Sequence, residues 1–170
     1  MERKIYAEEN GIALAEYVFE LDEKDIFDCW RDGSTESGYK NHAAPTFEEH
    51  LKRPIRSTKI MIMKNGKTVG CLLLSPPDSD PDLAIMIYPG NRGRGIGKAA
   101  FSLGLKYCFD KYGFDHIYAG CMDGNEISKK MLTSCGLVPH PEGNVTEKHY
   151  ITGEDRIQYD FVKYRENERS

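Results

Sequence analysis

Arg92-Gly93-Arg94-Gly95-Ile96-Gly97-Lys98 packs three glycines, two arginines and a lysine into seven consecutive residues. Where a strand hands over to a helix, main-chain N–H groups point outward, the helix dipole adds partial positive charge, and glycines let an anion reach the backbone. Phosphate is the natural guest of such a turn, and a bare reversal needs neither the cations nor so many glycines. A P-loop would have glycine where Arg92 stands and Ser or Thr where Ala99 stands, so it fails twice. Gly95-x-Gly97-x-x-Ala100 does satisfy the dinucleotide fingerprint. That fingerprint belongs after the first strand of its unit, with an acid closing the next strand; here hairpins come first and Asp123 is late. A NAD(P)-binding oxidoreductase is thus a lesser alternative. His42, His50, His116 and His140 have no metal-ligand spacing, and the five cysteines form no Cys-x-x-Cys pair. Free, mostly buried thiols are expected, with no metal and no disulfide framework.

The elements that must carry this turn are legible around it. Leu83–Tyr88 reads as a strand ended by Pro89-Gly90, and Ile96 to Tyr112 as a helix with Phe101, Leu105, Cys108 and Tyr112 at helical spacing, stopped by Gly113. His116–Cys121 follows as a strand, Asn125–Ser134 as a helix closed by Gly136, and Arg156–Tyr164 as a last strand with Ile157, Tyr159 and Phe161 on one face. Upstream, Asn10-Gly11 and Asn65-Gly66 predict two hairpins, the second between Lys59–Lys64 and Lys67–Leu74. Apolar residues at Ile60, Met61, Ile62 and Met63 predict a strand buried on both faces. Between the hairpins, Asp22 is expected to cap a helix through Trp30, and Thr46 to open a short helix to about Lys52, ahead of Pro54. The order predicts a mixed α/β fold, one mainly antiparallel central sheet flanked by helices, in a single domain over residues 1–170.

The phosphate motif that fits best is Arg-x-x-Gly-x-Gly. Ile87-Tyr88-Pro89-Gly90-Asn91-Arg92-Gly93-Arg94-Gly95-Ile96-Gly97 resembles the acetyl-CoA signature of the GCN5-related N-acetyltransferase (GNAT) family. Thirty residues on, Asn125-Glu126-Ile127-Ser128, then Leu132, then Cys135-Gly136-Leu137 resembles the family's Asn-x-x-Ser/Ala helix ending in Gly-Phe. The likeness is close over Leu83–Leu137 and looser elsewhere. It implies acetyl-CoA as co-substrate, no metal, and acetyl transfer to a primary amine of a small molecule or peptide N-terminus by direct attack in a ternary complex. It also implies a strand splayed from its neighbour, so that the main chain of Ile85, Met86 and Ile87 pairs with the pantetheine arm. Amides from Gly93 through Arg94, Gly95, Ile96 and Gly97 to Lys98 would hold the pyrophosphate, with Arg92, Arg94 and Lys98 adding charge-assisted bonds. Asn125 would bond the pantetheine while capping its helix.

Two departures narrow the resemblance. Many members carry a Tyr seven residues after this Asn to protonate the CoA thiolate; Leu132 stands there, and Gly120 replaces a glutamate found five residues before it in some. The Asn-x-x-Ser…Leu pattern, with the stretch Phe27–Lys52, looks like the ribosomal-protein-alanine and small-molecule acetyltransferase branch, in which Ser128 would face the thiolate. Glu147 and His149 share one face of an expected strand near that branch's usual base position, and Asp82 heads the cofactor strand as a further candidate. Tyr39 and Trp30 could line an acceptor pocket. Without the Tyr, a non-catalytic acetyl-CoA-binding module is the alternative from another class.

Composition sets the outer limits. At 170 residues one domain is expected, and a net charge of −4 speaks against a nucleic-acid partner. No apolar run reaches the roughly 18–20 residues of a membrane-spanning helix. MERKIYAEEN lacks the apolar core of a secretory signal, so a cytoplasmic monomer or homodimer is expected.

Overall fold

Both Asn-Gly pairs adopt positive φ at each residue, which reverses the chain tightly and builds the first half as a meander. The computed structural model describes residues 2–33, 43–54, 56–148 and 152–167. Strands β1 (Ile5–Glu9) and β2 (Ile12–Glu16) flank the first reversal, and β3 (Thr58–Lys64) and β4 (Lys67–Leu74) the second. β5 (Leu83–Ile87) joins β4, giving an antiparallel sheet ordered β1-β2-β3-β4-β5. β3 is buried on both faces, as its pattern predicts. Ile60 and Ile62 enter one core; Met61 enters a second with Ala15, Ile26, Cys29, Cys71 and Met86.

Helices bridge strands within the first sheet and between the two sheets. Helix α1 (Phe19–Arg31) and the short α2 (Phe47–Lys52) lie between β2 and β3, and α3 (Ile96–Tyr112) crosses from β5 to β6 (His116–Met122). Phe101, Leu105 and Cys108 of α3 are buried in the larger core, whereas Tyr112 stays exposed at the helix end. After α4 (Glu126–Ser134) come β7 (Val138–Pro139), a 3-10 turn over Pro141–Gly143, β8 (Val145–Lys148) and β9 (Asp155–Tyr164). β9 pairs with β6, β7 and β8.

The single sheet expected from the sequence is in fact two. β5 and β6 touch at a lone parallel bridge, Asp82 to Tyr118, beside a 2.8 Å bond from the Tyr118 N–H to the Pro81 carbonyl. Beyond it they diverge, and Ile96 and Phe101 of α3 with Met131 and Leu132 of α4 line the gap. Each strand keeps its proper alternation, and alternation does not report whether neighbouring strands stay within hydrogen-bonding range.

Thr46 caps α2 as expected, its Oγ1 accepting from the Glu49 N–H at 3.2 Å. Asp22 does not cap α1. The helix begins at Phe19, its N-cap is Val18, and Asp22 sits one turn inside, fully buried. Its carboxylate accepts the Val18 N–H at 2.7 Å and both arms of the Arg3 guanidinium at 2.6 and 2.7 Å. Next to it, buried Glu23 accepts from Tyr17 and Lys59 and bonds His50 Nε2 at 2.6 Å, tying α1 to α2 and β3. Removing a cap costs about 1 kcal/mol; stranding a buried partner charge costs about 3–5 kcal/mol. Asp22→Ala should therefore lower the unfolding free energy in urea by about 3–5 kcal/mol. A loss near 1 kcal/mol would return Asp22 to a capping role.

Candidate active site

The gap between the two sheets is a cleft of about 630 Å³, and most of the residues singled out in the sequence line it. Its walls follow from strand alternation. The Ser75 N–H bonds the Asp82 carbonyl, and the Tyr88 N–H bonds Val69, so even-numbered residues of β5 aim their main chain at β4. Ile85 and Ile87 consequently turn their main-chain groups toward the gap, while Met86 pairs with Cys71 of β4 and contributes its side chain to the core under α1. On the opposite wall the Tyr118 N–H already points at β5, so Gly120 and Met122 present their main chain from that side.

The glycine turn closes the wide end. Gly93 and Gly95 have φ of 73° and 74°, a left-handed conformation in which a side chain is strained, and Gly95 is the N-cap of α3. Gly97 packs close to Ile87 and Met131. Gly93, Gly95, Ile96, Gly97 and Lys98 all line the cleft; Arg94 is exposed and outside the lining. Arg92 lines it too, its Nε donating to the Ile87 carbonyl at 2.9 Å. Arginine thus clasps the end of β5 as well as adding charge.

From the other side, Asn125 caps α4, its Oδ1 accepting the Ser128 N–H at 3.2 Å. Asn125 also lines the cleft, and its amide NH2 is not used in the cap, so capping and ligand contact are compatible. Ser128 lies one turn further on, half-buried in the lining, and its hydroxyl has no protein partner among the described residues. Leu132 completes this wall from the core and has no proton to give. The thiol of Cys121, also in the lining, is pushed up by burial and stays protonated. All five cysteines are free and buried.

The floor of the cleft carries the ionisable chemistry. Asp82 stands where the strands part, and burial, reinforced by the charge of Asp160 on β9, raises its carboxyl to about 6. Glu147 lies elsewhere, on β8 opposite Arg156 and outside the cleft lining. His149, Tyr39 and His42 fall outside the described residues. Sequence reasoning missed Gln158, which lines the cleft, and Asp160, which lies opposite the lining residue Gly120; both are placed only by the register of β9 on β6, and the signal available was Gly120, a glycine inside a strand.

Residues 22–138 match a family model described as the acetyltransferase (GNAT) domain. Among solved structures, spermidine N-acetyltransferase from Vibrio cholerae in complex with CoA and spermine has a TM-score of 0.80 at 16% identity, covering 92% of this chain and 96% of that one. RimJ of Mycobacterium smegmatis in complex with CoA-disulfide has a TM-score of 0.71 at 18% identity, covering 95% and 85%. The microcin C7 self-immunity acetyltransferase MccE in complex with acetyl-CoA and AMP has a TM-score of 0.70 at 13% identity, covering 92% and 94%. At these identities the likeness is one of fold. Comparison with curated proteins gave no match.

The raised Asp82 carboxyl has a stability consequence whose sign is set by linkage. The folded protein holds this proton more tightly than the unfolded chain, in which the group titrates near 3.8. Stability therefore falls as pH rises from about 4 to about 6, and the whole penalty is present above that range. Asp82→Asn should raise stability by about 1–2 kcal/mol at pH 7.5 and leave it unchanged near pH 3.5, read from urea unfolding at both pH values. Destabilisation at pH 7.5 would mean that the carboxylate is favourably paired.

Proposed function

The chain belongs to the GNAT acetyltransferase family, and we propose that it moves the acetyl group of acetyl-CoA to a primary amine of a small molecule or peptide N-terminus by direct attack in a ternary complex. The observation that carries this reading is the cleft itself: main chain from β5 along one wall, a glycine-rich helix N-terminus at its mouth, and Asn125 and Ser128 facing them. A pantetheine arm has amides to pair with the main chain of Ile85 and Ile87, and a pyrophosphate suits the amides from Gly93 to Lys98. The complexes of the Vibrio cholerae enzyme with CoA and of MccE with acetyl-CoA support this choice of co-substrate.

Acetyl-CoA supplies a thioester carbon open to attack and a thiolate as leaving group. This chain's residues do the rest. Asp82 takes the proton of the incoming ammonium, and a carboxyl raised to about 6 is ionised at neutral pH yet basic enough to accept it. We assign it the role that the sequence shares among Asp82, Glu147 and His149; its place in the cleft supports the choice, while Glu147 lies outside the lining and His149 outside the described residues. The Ile87 N–H donates to the thioester oxygen as charge gathers there. Ser128 hydrogen-bonds the departing sulfur and relays a proton to it from water, while Asn125 holds the pantetheine behind it.

Two outcomes follow. Acetyl-CoA at about a hundredfold over its Kd should raise Tm by roughly 5–10 °C, and Gly95→Glu should abolish that rise through bulk and like charge. A larger rise with NAD or NADP, and none with acetyl-CoA, would favour a dinucleotide enzyme; a rise with acetyl-CoA but no turnover across polyamines, aminoglycosides, amino-acid amides and peptide N-termini would leave a binding module. Ser128→Ala should lower kcat about 10–100-fold with little change in acetyl-CoA affinity, since its bond strengthens only as charge develops on sulfur. Wild-type kcat in that variant, with chemistry limiting, would remove Ser128 from the mechanism.

A further inference from the structure

Asp160 lies beside the chemistry without a role in it so far. It sits on β9 directly opposite Gly120 of β6, on the same sheet face as Gln158, Tyr118 and Asp82. A Cβ placed on Gly120 would stand 3.4 Å from Asp160 Oδ1 and 2.9 Å from Gln158 Nε2, and one on Gly143 would stand 2.5 Å from Asp160 Oδ2. Glycine at both positions is what lets the carboxylate lie there. Gln158, itself in the cleft lining, donates to Asp160 Oδ1 at 3.3 Å and fixes its direction. The segment following β7 braces it from behind: the His140 N–H bonds the Asp160 carbonyl at 2.8 Å, and Asn144 Oδ1 accepts the Asp160 N–H at 2.9 Å. Among the described residues no cation pairs with either Asp82 or Asp160.

We infer that Asp160 is a positioning residue for acetyl transfer, a fixed negative charge held over Gly120 by Gln158 that keeps the base Asp82 ready to accept the proton of the acceptor amine. The inference rests on Asp82 being that base. A lone carboxylate in water is a poor base at neutral pH, and a like charge nearby favours its protonated form. The titratable side chains around this end of β5 include Asp80 in the preceding loop, His116, Tyr118 and Cys121 on β6, His140 after β7 and Asp160 on β9; Asp160 is the carboxylate that lies over Gly120, two residues along β6 from Asp82's bridge partner Tyr118, where its charge reinforces the effect of burial on Asp82. His140 instead packs edge-on against Tyr118, with ring centroids 5.5 Å apart. The proton that Asp82 takes from the ammonium makes the pair singly charged, so Asp160 favours its transfer at that moment. Its return to solvent restores both carboxylates before the next turnover.

The test is the pH dependence of kcat/KM in Asp160→Asn, with the carbon-13 titration of the Asp82 carboxyl in the same protein. The expected result is an acid limb displaced by about half a pH unit or more toward lower pH, a matching displacement of the Asp82 resonance, and acetyl-CoA affinity within about twofold of wild type. Asp160→Ser serves as a second variant should the amide disturb the turn around Asn144. An unmoved limb and resonance, with Asp82→Asn inactive, would overturn the role of Asp160 and leave the base in place. Wild-type turnover and acid limb in Asp82→Asn would overturn the base itself, whatever Asp160→Asn shows.

Discussion

Backbone pairing is the constraint on which everything else here depends. An N–H or C=O shut away from water without a partner is costly, so a strand that leaves its neighbour must find other company for its main chain. β5 meets β6 at Asp82 and Tyr118 and then parts from it. Arg92 answers one of these demands by bonding the Ile87 carbonyl. Under the proposed function, a chain of amides laid between the strands pairs with the main chain of Ile85 and Ile87, which is why an extended, amide-bearing molecule suits the gap better than a compact one. The gap persists because each strand is anchored away from it: β5 on β4, β6 on β9, with a hydrophobic core on each face of the first sheet.

The two ends of the cleft use different physics. At the turn, the proposed recognition rests on main-chain amides and a helix terminus, which stay polar at every pH and need only glycines to be reached. At the floor, the proposed function depends on Asp82, whose carboxyl is raised by burial and by the charge of Asp160. α4 joins these regimes by placing Asn125 and Ser128 one turn apart, with apolar Leu132 behind them sealing the core. The proposed function thereby puts proton transfer where the strands first separate, and anion binding at the glycine turn at the other end.

What the residues revealed in advance was whatever needs a particular residue type locally. Positive φ demands glycine, so the turn at Gly93 and Gly95 was legible, as were the Asn-Gly reversals and the caps at Thr46 and Asn125. What depends on distant pairing was not. Asp22 has the side chain of a good cap, and only the fold brings Arg3 across to claim it. Periodicity put Glu147 on a strand face correctly, but β8 lies on the far side of β9 from β6, beyond the cleft. The separation of β5 from β6 left no mark in the alternation of either strand; family resemblance implied it. Asp160 was hidden for the same reason: its place is decided by the register Gly120 to Asp160, forty residues apart in sequence.

Residue-resolved amide exchange with and without CoA tests the central claim most directly, because it reads the main chain that the cleft is said to use. The account predicts slower exchange at Ile85, Ile87 and the amides from Gly93 to Lys98 when CoA is added. Met86, already facing β4, should not change. Protection confined to other surfaces, with those amides exchanging as before, would contradict the account.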